Sequence, residues 1–240
     1  MATYFVSDLH LSVEKPHLSE LFLRFLNGKA KEAEALYILG DLFEVWVGDD
    51  NRDPHNDCII AALAEFSNTG IPLYFMHGNR DFLIGEQFIQ KTSCLLLSDP
   101  TIVELYGARV LVTHGDCLCI LDRSYQIFRN IVRRPLIQKL FLSFPLSWRQ
   151  AIANLLRENS SPNLATNTQL RKWDVTAKAV YQMLRNHQSL TLIHGHTHKP
   201  GIHDFILDNQ PAKRIVLGDW GKTGNVLIYS PDHCELKTVL

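Results

Sequence analysis

Three histidines stand at alternate positions in the stretch Leu192-Ile193-His194-Gly195-His196-Thr197-His198. The apolar run before them reads as a strand, and side chains two apart on a strand point to the same face. His196 and His198 could therefore share one cavity, and neutral imidazole is a frequent metal ligand. An isolated His-x-His suits a polar strand face equally well, so the other donors in the chain decide. Five more follow apolar runs: Asp8 and His10 after the first, Asp41 after the second, Asn79 after the third and His114 after a hairpin arm. Ligands of open α/β sheets bind outside the carboxyl ends of the strands, which places these donors along one edge. Gly40, Gly78, Gly115 and Gly195 stand among them and permit tight turns and close backbone approach.

Taken singly, Asp8 or Asp41 could cap a helix, Asn79 could hold a turn and His114 could be a satisfied core histidine. Their shared placement favours a site. Carboxylate, amide and imidazole donors without thiolate suit Mn²⁺, Fe²⁺, Co²⁺ or Zn²⁺, and the oxygen share favours Mn²⁺. Asp8, His10, Asp41, Asn79, His114, His196 and His198 exceed one tetrahedral shell but suit two divalent ions sharing a carboxylate. The expectation is a binuclear centre.

The elements that must carry these residues alternate. Thr3 to Ser7 reads as a buried strand, and residues 17 to 30 as an amphipathic helix with Leu18, Leu21, Phe22, Phe25 and Leu26 at helical spacing. Ala35 to Leu39 is a second strand, residues 55 to 68 a helix, and Leu73 to Met76 a third strand, implying right-handed crossovers and parallel pairing. Thr101 to Tyr106 and Arg109 to Thr113 form a hairpin turning at Gly107. Residues 122 to 158 are helical, 159 to 168 a loop, and Leu170, Trp173, Ala177, Val180, Tyr181 and Leu184 line one face of a further helix. Strands near 202–207, 213–217 and 225–229 complete the chain, with no internal repeat.

The totals narrow the class. The 240 residues suffice for a sizeable core, and 46% hydrophobic with 20% charged residues is ordinary for a globular protein. A net charge of -1 argues against a general nucleic-acid binder. Five cysteines, an odd number without a paired framework, read as free thiols of a reducing compartment. The first residues lack a basic region followed by an apolar stretch, so no signal peptide is expected, and no apolar run approaches the roughly 20 residues of a spanning helix.

Ser7-Asp-Leu-His10, Tyr37-Ile-Leu-Gly-Asp-Leu-Phe-Glu44, His77-Gly-Asn-Arg-Asp-Phe82, His114-Gly-Asp116 and Ile193-His-Gly-His-Thr-His198, in this order, resemble the calcineurin-like metallophosphoesterases. Over essentially the whole chain the closer resemblance is to the UDP-2,3-diacylglucosamine pyrophosphohydrolases of lipid A biosynthesis. The resemblance implies an α/β (α+β) four-layer sandwich: two mixed β-sheets flanked by helices, in a single domain over 1–240 with an inserted helical cap at 122–168. It assigns Asp8, His10, Asp41 and His198 to one ion and Asp41, Asn79, His114 and His196 to the other, with Asp41 bridging. Asp81 and Asp116 are candidates to orient ligand imidazoles. Glu44, Asp49 and Asp50 read as a solvated loop, and His194 falls outside the ligand set because the glycine turn at 195 can end the strand.

Many relatives resembling this pattern carry histidine where Arg80 stands. Arginine cannot protonate a departing alkoxide but stabilises phosphoryl oxygens, and a phosphate leaving group, with a second pKa of about 6, needs little protonation. Arg80 therefore suits a phosphoanhydride, and Asp41 and Asn79 join it as catalytic candidates. The implied reaction is attack of metal-activated hydroxide on the α-phosphorus of UDP-2,3-diacylglucosamine, giving UMP and 2,3-diacylglucosamine 1-phosphate.

Between Arg123 and Arg157 stand Arg123, Arg129, Arg133, Arg134, Lys139, Arg149 and Arg157 without an acidic residue, interleaved with Phe128, Ile131, Leu136, Phe141, Leu142, Phe144, Leu146, Trp148 and Leu155. One reading is a helical subdomain with apolar side inward and arginines solvated. The resemblance favours a cap that accepts acyl chains and meets anionic lipid, on the cytoplasmic face of the bacterial inner membrane. It also implies substrate contacts from Asn79, Arg80, Asp122, Ser160 and His196, with Asn163 and Asn167 as candidates in a loop that lacks the lysine such relatives carry. No nucleic-acid or obligate protein partner is expected. The competing readings are a phosphoesterase for soluble nucleotides or phosphoproteins and a non-catalytic metal-binding scaffold.

Overall fold

Side-chain alternation along the central strands explains how the layers stack. The computed structural model describes residues 2–51, 53–159 and 174–239. One sheet contains β1 (Ala2–Val6), β2 (Ala33–Leu39), β3 (Leu73–Met76), β4 (Leu95–Leu97), β10 (Gly224–Tyr229) and β11 (Cys234–Val239). Its order is β11-β10-β1-β2-β3-β4. The pairs β1–β2, β2–β3 and β3–β4 are parallel, whereas β10 pairs antiparallel with β1 and β11 with β10. The second sheet runs β5 (Thr101–Leu105), β6 (Ala108–Thr113), β7 (Thr191–His194), β9 (Gln210–Val216) and β8 (Gly201–Leu207), with β6–β7 and β7–β9 parallel. Both sheets are therefore mixed.

Tyr4, Val6, Leu36, Ile38, Leu73 and Phe75 face α1 (Pro16–Asn27), α2 (Pro54–Ser67) and α3 (Glu86–Thr92). The alternate residues Phe5, Tyr37, Leu39 and Met76 meet Val110, Val112, Ile193 and Ile215 of the second sheet. Leu111 and Leu192 point the other way, onto Ala179, Val180 and Leu184 of α7 (Ala177–His187). Helix, sheet, sheet, helix: the four layers follow from period-2 burial on both faces, each fully buried Leu, Ile or Phe contributing about 1.5–3 kcal/mol.

Between β6 and β7 lie α4 (Arg123–Val132), α5 (Pro135–Leu142) and α6 (Leu146–Asn159). No residue of α4 or α5 is buried, and Ile127, Phe128, Ile131, Leu136, Leu140, Trp148 and Leu155 are exposed. Most of these apolar side chains are therefore not turned inward: α4 is attached by polar contacts, whereas α5 packs Phe141 against the core. The described helix α7 begins at Ala177, because Thr176 is in extended conformation and accepts the Ala179 N–H at its side chain. The loop at 160–168, with Ser160, Asn163 and Asn167, and the 170–173 portion of the expected helix lie outside the described residues.

Candidate metal centre

Strands β1, β2, β3, β6 and β7 end at one edge, and the loops leaving them are stitched together by backbone hydrogen bonds. Asp8 N–H donates to Gly40 O at 3.1 Å, His10 N–H to Asp41 O at 3.0 Å and Gly195 N–H to His114 O at 2.9 Å. Strand β7 stops at His194, so His196 and His198 are not on its face. Both have left-handed backbone, with φ 68° and 55°, as do Asp8, His10 and Asp41 at 55°, 49° and 54°. Such conformations are costly outside glycine, least so for Asp, Asn and His, and surrounding structure must hold them. Turns rather than strand alternation thus aim these side chains. Gly78 and Gly195 allow the approach: a Cβ on the first would strike Asp41 and on the second Asp8 and Ser7.

The seven donors meet in two adjoining groups. In one, His10 Nε2 lies 3.3 Å from His198 Nε2 and 3.8 Å from Asp41 Oδ2, and His198 Nε2 lies 3.4 Å from Asp8 Oδ1. In the other, Asn79 Oδ1 is 2.9 Å from both His114 Nε2 and His196 Nδ1, and His114 Nε2 is 3.8 Å from Asp41 Oδ1. Asp41 thus turns one oxygen to each group. Asp8 is also central, lying within 4.8 Å of His10 and His198 and equally of Asp41 and His114.

The electrostatics of this cluster call for a cation. His114 donates its Nδ1 proton to the Leu39 carbonyl at 2.9 Å, which leaves Nε2 facing the Asn79 oxygen, acceptor against acceptor unless a proton or cation lies between. Burial would lower the His114 pKa, but Asp41, Asp8 and Asp116 outweigh it and raise it to about 9. Burial lowers His10 and His196 to about 3, so both present neutral lone pairs. Burial raises Asp41 to about 7, while for Asp8 the imidazoles of His198, His114 and His10 outweigh burial and hold its carboxyl low. Asp8 Oδ1 and His10 Nδ1 are buried without a hydrogen bond. Two carboxylates, an amide oxygen and four imidazoles so arranged suit borderline divalent cations.

Several neighbours act differently from what the sequence suggests. Among the described residues Asp81 hydrogen-bonds to no imidazole; it accepts the backbone N–H groups of Asp41, Leu42 and Gly78 at 3.3, 2.7 and 2.8 Å. Asp116 is bound by Tyr125, Arg129 and Arg133 of the inserted helices. Glu44 is half-buried, 3.8 Å from His10 Nδ1, and Asp49 accepts from Trp46, Gly85, Gln87 and Phe88, so neither is a solvated loop residue. Asp50 pairs with the buried Arg149, which also donates to Val47 O at 2.5 Å. Arg129, Arg133 and Arg149 therefore point inward, leaving Arg123, Arg134 and Lys139 exposed.

Asn79 and His196 lie within the cluster, and Arg80 adjoins it: its backbone N–H donates to Asp41 Oδ1 at 2.8 Å. The Arg80 guanidinium makes no ion pair among the described residues. Asp122 caps α4, accepting the Tyr125 N–H at 3.0 Å. His194 is buried, with Nδ1 at 2.8 Å from Gly195 O, outside both groups. Asp99 and Asp219 carried no sequence signal, yet Asp219 lies 3.6 Å from His198 Nδ1. Tyr125, Arg129 and Arg133 did carry one in their four-residue spacing, hidden by the basic run.

Two mixed sheets flanked by helices, with a cluster of carboxylate, amide and imidazole donors at their common strand ends, define an α/β metallophosphoesterase fold, and residues 1–200 match the calcineurin-like phosphoesterase family. The chain belongs to that family. It is 50% identical over 237 residues to a UDP-2,3-diacylglucosamine hydrolase of Aeromonas hydrophila subsp. hydrophila, covering 99% of this chain and 98% of that one. It is 48% identical over 236 residues to the UDP-2,3-diacylglucosamine hydrolase of Escherichia coli O157:H7, covering 98% of each. Among solved structures, a novel archaeal phosphodiesterase superposes with TM-score 0.50 at 14% identity, covering 100% of this chain and 99% of that one, a likeness of fold.

Proposed function

We propose that this protein hydrolyses the pyrophosphate bond of UDP-2,3-diacylglucosamine, releasing UMP and 2,3-diacylglucosamine 1-phosphate, as a step in lipid A biosynthesis. The observation that carries the substrate is the 48–50% identity, over nearly the whole chain, to hydrolases named for it. Asp8, His10, Asp41 and His198 would hold one divalent ion and Asp41, Asn79, His114 and His196 the other, with Mn²⁺ favoured by the oxygen share. When bound, two such ions supply Lewis acidity and a nucleophile at neutral pH.

The chain's own groups do the rest. An oxygen from water adds to the α-phosphorus, and the bond from that phosphorus to the bridging oxygen breaks. The leaving sugar 1-phosphate carries away the bond's electrons and needs no proton donor as strong as an alkoxide would, its second pKa being about 6. Arg80, free of a carboxylate partner among the described residues, meets that developing charge with a bidentate guanidinium. Asn79 and His196 contact the same phosphate, and Asp122, Ser160, Asn163 and Asn167 belong to the substrate's surroundings. The exposed Ile127, Phe128, Ile131, Leu136 and Trp148, beside Arg123, Arg134 and Lys139, take the acyl chains and an anionic membrane surface. No helix among the described residues is long and apolar enough to cross a membrane. The membrane contact in this reading is peripheral, on the cytoplasmic face.

One assay tests this reading. Chelator-stripped protein is incubated with the substrate in detergent, with and without Mn²⁺, in ¹⁸O-labelled water. UMP carrying the label, formed only with metal, is the expected product; no UMP with any divalent ion refutes it.

A further inference from the structure

Helix α4 presents two dissimilar faces. Ile127, Phe128 and Ile131 are exposed, whereas Tyr125, Arg129 and the capping residue Arg133, four apart, form a polar stripe that meets the centre. All three converge on the fully buried Asp116. The Tyr125 hydroxyl donates to Asp116 Oδ2 at 2.7 Å, Arg129 Nε at 2.7 Å and Arg133 Nη2 at 3.1 Å.

The same arginines reach two further points of the frame. Arg129 Nη2 donates to Asp99 Oδ2 at 2.9 Å, and Asp99 Oδ1 accepts the His114 backbone N–H at 3.2 Å and the Thr113 hydroxyl at 2.5 Å. Arg133 Nη2 also donates to the carbonyl of Gly78, the residue before Asn79, at 3.0 Å. The Tyr125 ring lies nearly parallel to that of His196, centroids 6.4 Å apart. Each donor of the Asn79, His114 and His196 group thus has a neighbour tied to α4. Among the described residues, no hydrogen bond or ion pair from α4 reaches Asp8, His10 or His198.

We propose that Arg129 and Arg133 are positioning residues for the Asn79–His114–His196 half of the centre, so that seating of α4 sets how tightly that half holds its cation. This rests on the reading that the centre holds two divalent ions. Outer partners of this kind act by restricting the ligand side chains, and losing one typically weakens metal binding about 10- to 100-fold. In each single replacement Asp116 keeps two of its three partners, and thermal melting checks that the variant is folded.

Mn²⁺ is titrated into the metal-free full chain and followed by equilibrium dialysis and electron paramagnetic resonance, with thermal melting to verify the fold. Wild type should take up two ions and show a spin-coupled spectrum. Arg133→Met and Arg129→Met should bind the first ion as wild type does and the second about 10- to 100-fold more weakly, losing the coupled signal where wild type is saturated. Arg133→Lys should recover part of the loss, since it keeps a charge toward Asp116 but not the second nitrogen, Nη1, that also reaches Asp99 Oδ2 at 3.5 Å. Asp50→Asn, which loosens the separate anchor of α6 at Arg149, should retain two ions. Uptake of fewer than two ions by wild type would remove the two-ion reading and this inference with it. Two ions in wild type, with unchanged second-site affinity in both Arg→Met variants or an equal loss in Asp50→Asn, would overturn the positioning role alone.

Discussion

Gly78→Ala tests whether the centre depends on backbone approach. Gly78 is not in the left-handed region, so alanine is tolerated by its backbone and the cost is steric. The new Cβ would stand 2.8 Å from Asp41 Cγ, about 0.6 Å short of ordinary contact, and closer still to Asp41 N and Oδ1. Asp41 has little freedom to retreat. Its N–H is held by Asp81 at 3.3 Å, its Oδ1 by the Arg80 N–H at 2.8 Å, and its backbone already lies at φ 54°. The two loops must therefore part by roughly 1 Å, a misplacement that can cost about 100-fold in rate, or about 2.7 kcal/mol of activation free energy. Overpacking of this kind costs about 1–3 kcal/mol of stability. At roughly 2–4 °C per kcal/mol for a chain of this size, the variant should melt about 2–12 °C lower yet remain folded at 25 °C. Kinetics of UMP release at saturating Mn²⁺, with a melting curve on the same sample, make the comparison. Activity within about threefold of wild type would refute the argument, because the approach of Gly78 to Asp41 would then not govern the site.

Arg80→His should lower anhydride hydrolysis about 100-fold, the scale of a lost charge-stabilising donor, and bring phosphomonoesterase activity on p-nitrophenyl phosphate. Unchanged specificity would sink the role given to Arg80. Thr176→Ala should cost about 1 kcal/mol, read as a melting point lower by about 2–4 °C, because the Ala179 N–H loses its cap. The hydrogen bond from Arg149 holds the Asp50 carboxyl below its ordinary value of 3.8. A depressed folded-state pKa adds stability that is complete above the unfolded value and lost as pH falls through the folded one. Asp50→Asn should thus lower the melting point by a constant amount above about pH 5, with the gap closing below about pH 4; a gap independent of pH would contradict the pairing.

The legible parts of this molecule are those whose cause is local. Strands β1, β2 and β3, with the β5–β6 hairpin, announce themselves as apolar runs ended by polar turns, because burial on both faces demands such runs. Short elements escaped for the same reason. Helix α3 has only seven residues and draws its N-terminal hydrogen bonds from Asp49, 36 residues or more upstream. Strand β4 is three residues long with Leu95 and Leu96 exposed, extended because it pairs with β3. Strand β11 pairs only with β10, which in turn pairs with β1 across more than two hundred residues.

Residue types and their order alone establish the family-level inventory: acidic, amide and imidazole donors after apolar strands, glycines between them, and a basic, apolar insertion. Chemistry is a property of side chains, and side chains are written in the sequence. What each donor faces was decided only by tertiary structure. His196 and His198 are aimed by left-handed turns rather than by strand alternation, and Asp41 divides its two oxygens between the groups because Gly78 lets its loop in. Arg129, Arg133 and Arg149, indistinguishable by composition from Arg134 and Lys139, turn inward because Asp99, Asp116 and Asp50 await them from elsewhere in the chain. A buried charge is admitted only where a partner stands, and that partner's position is set by the fold.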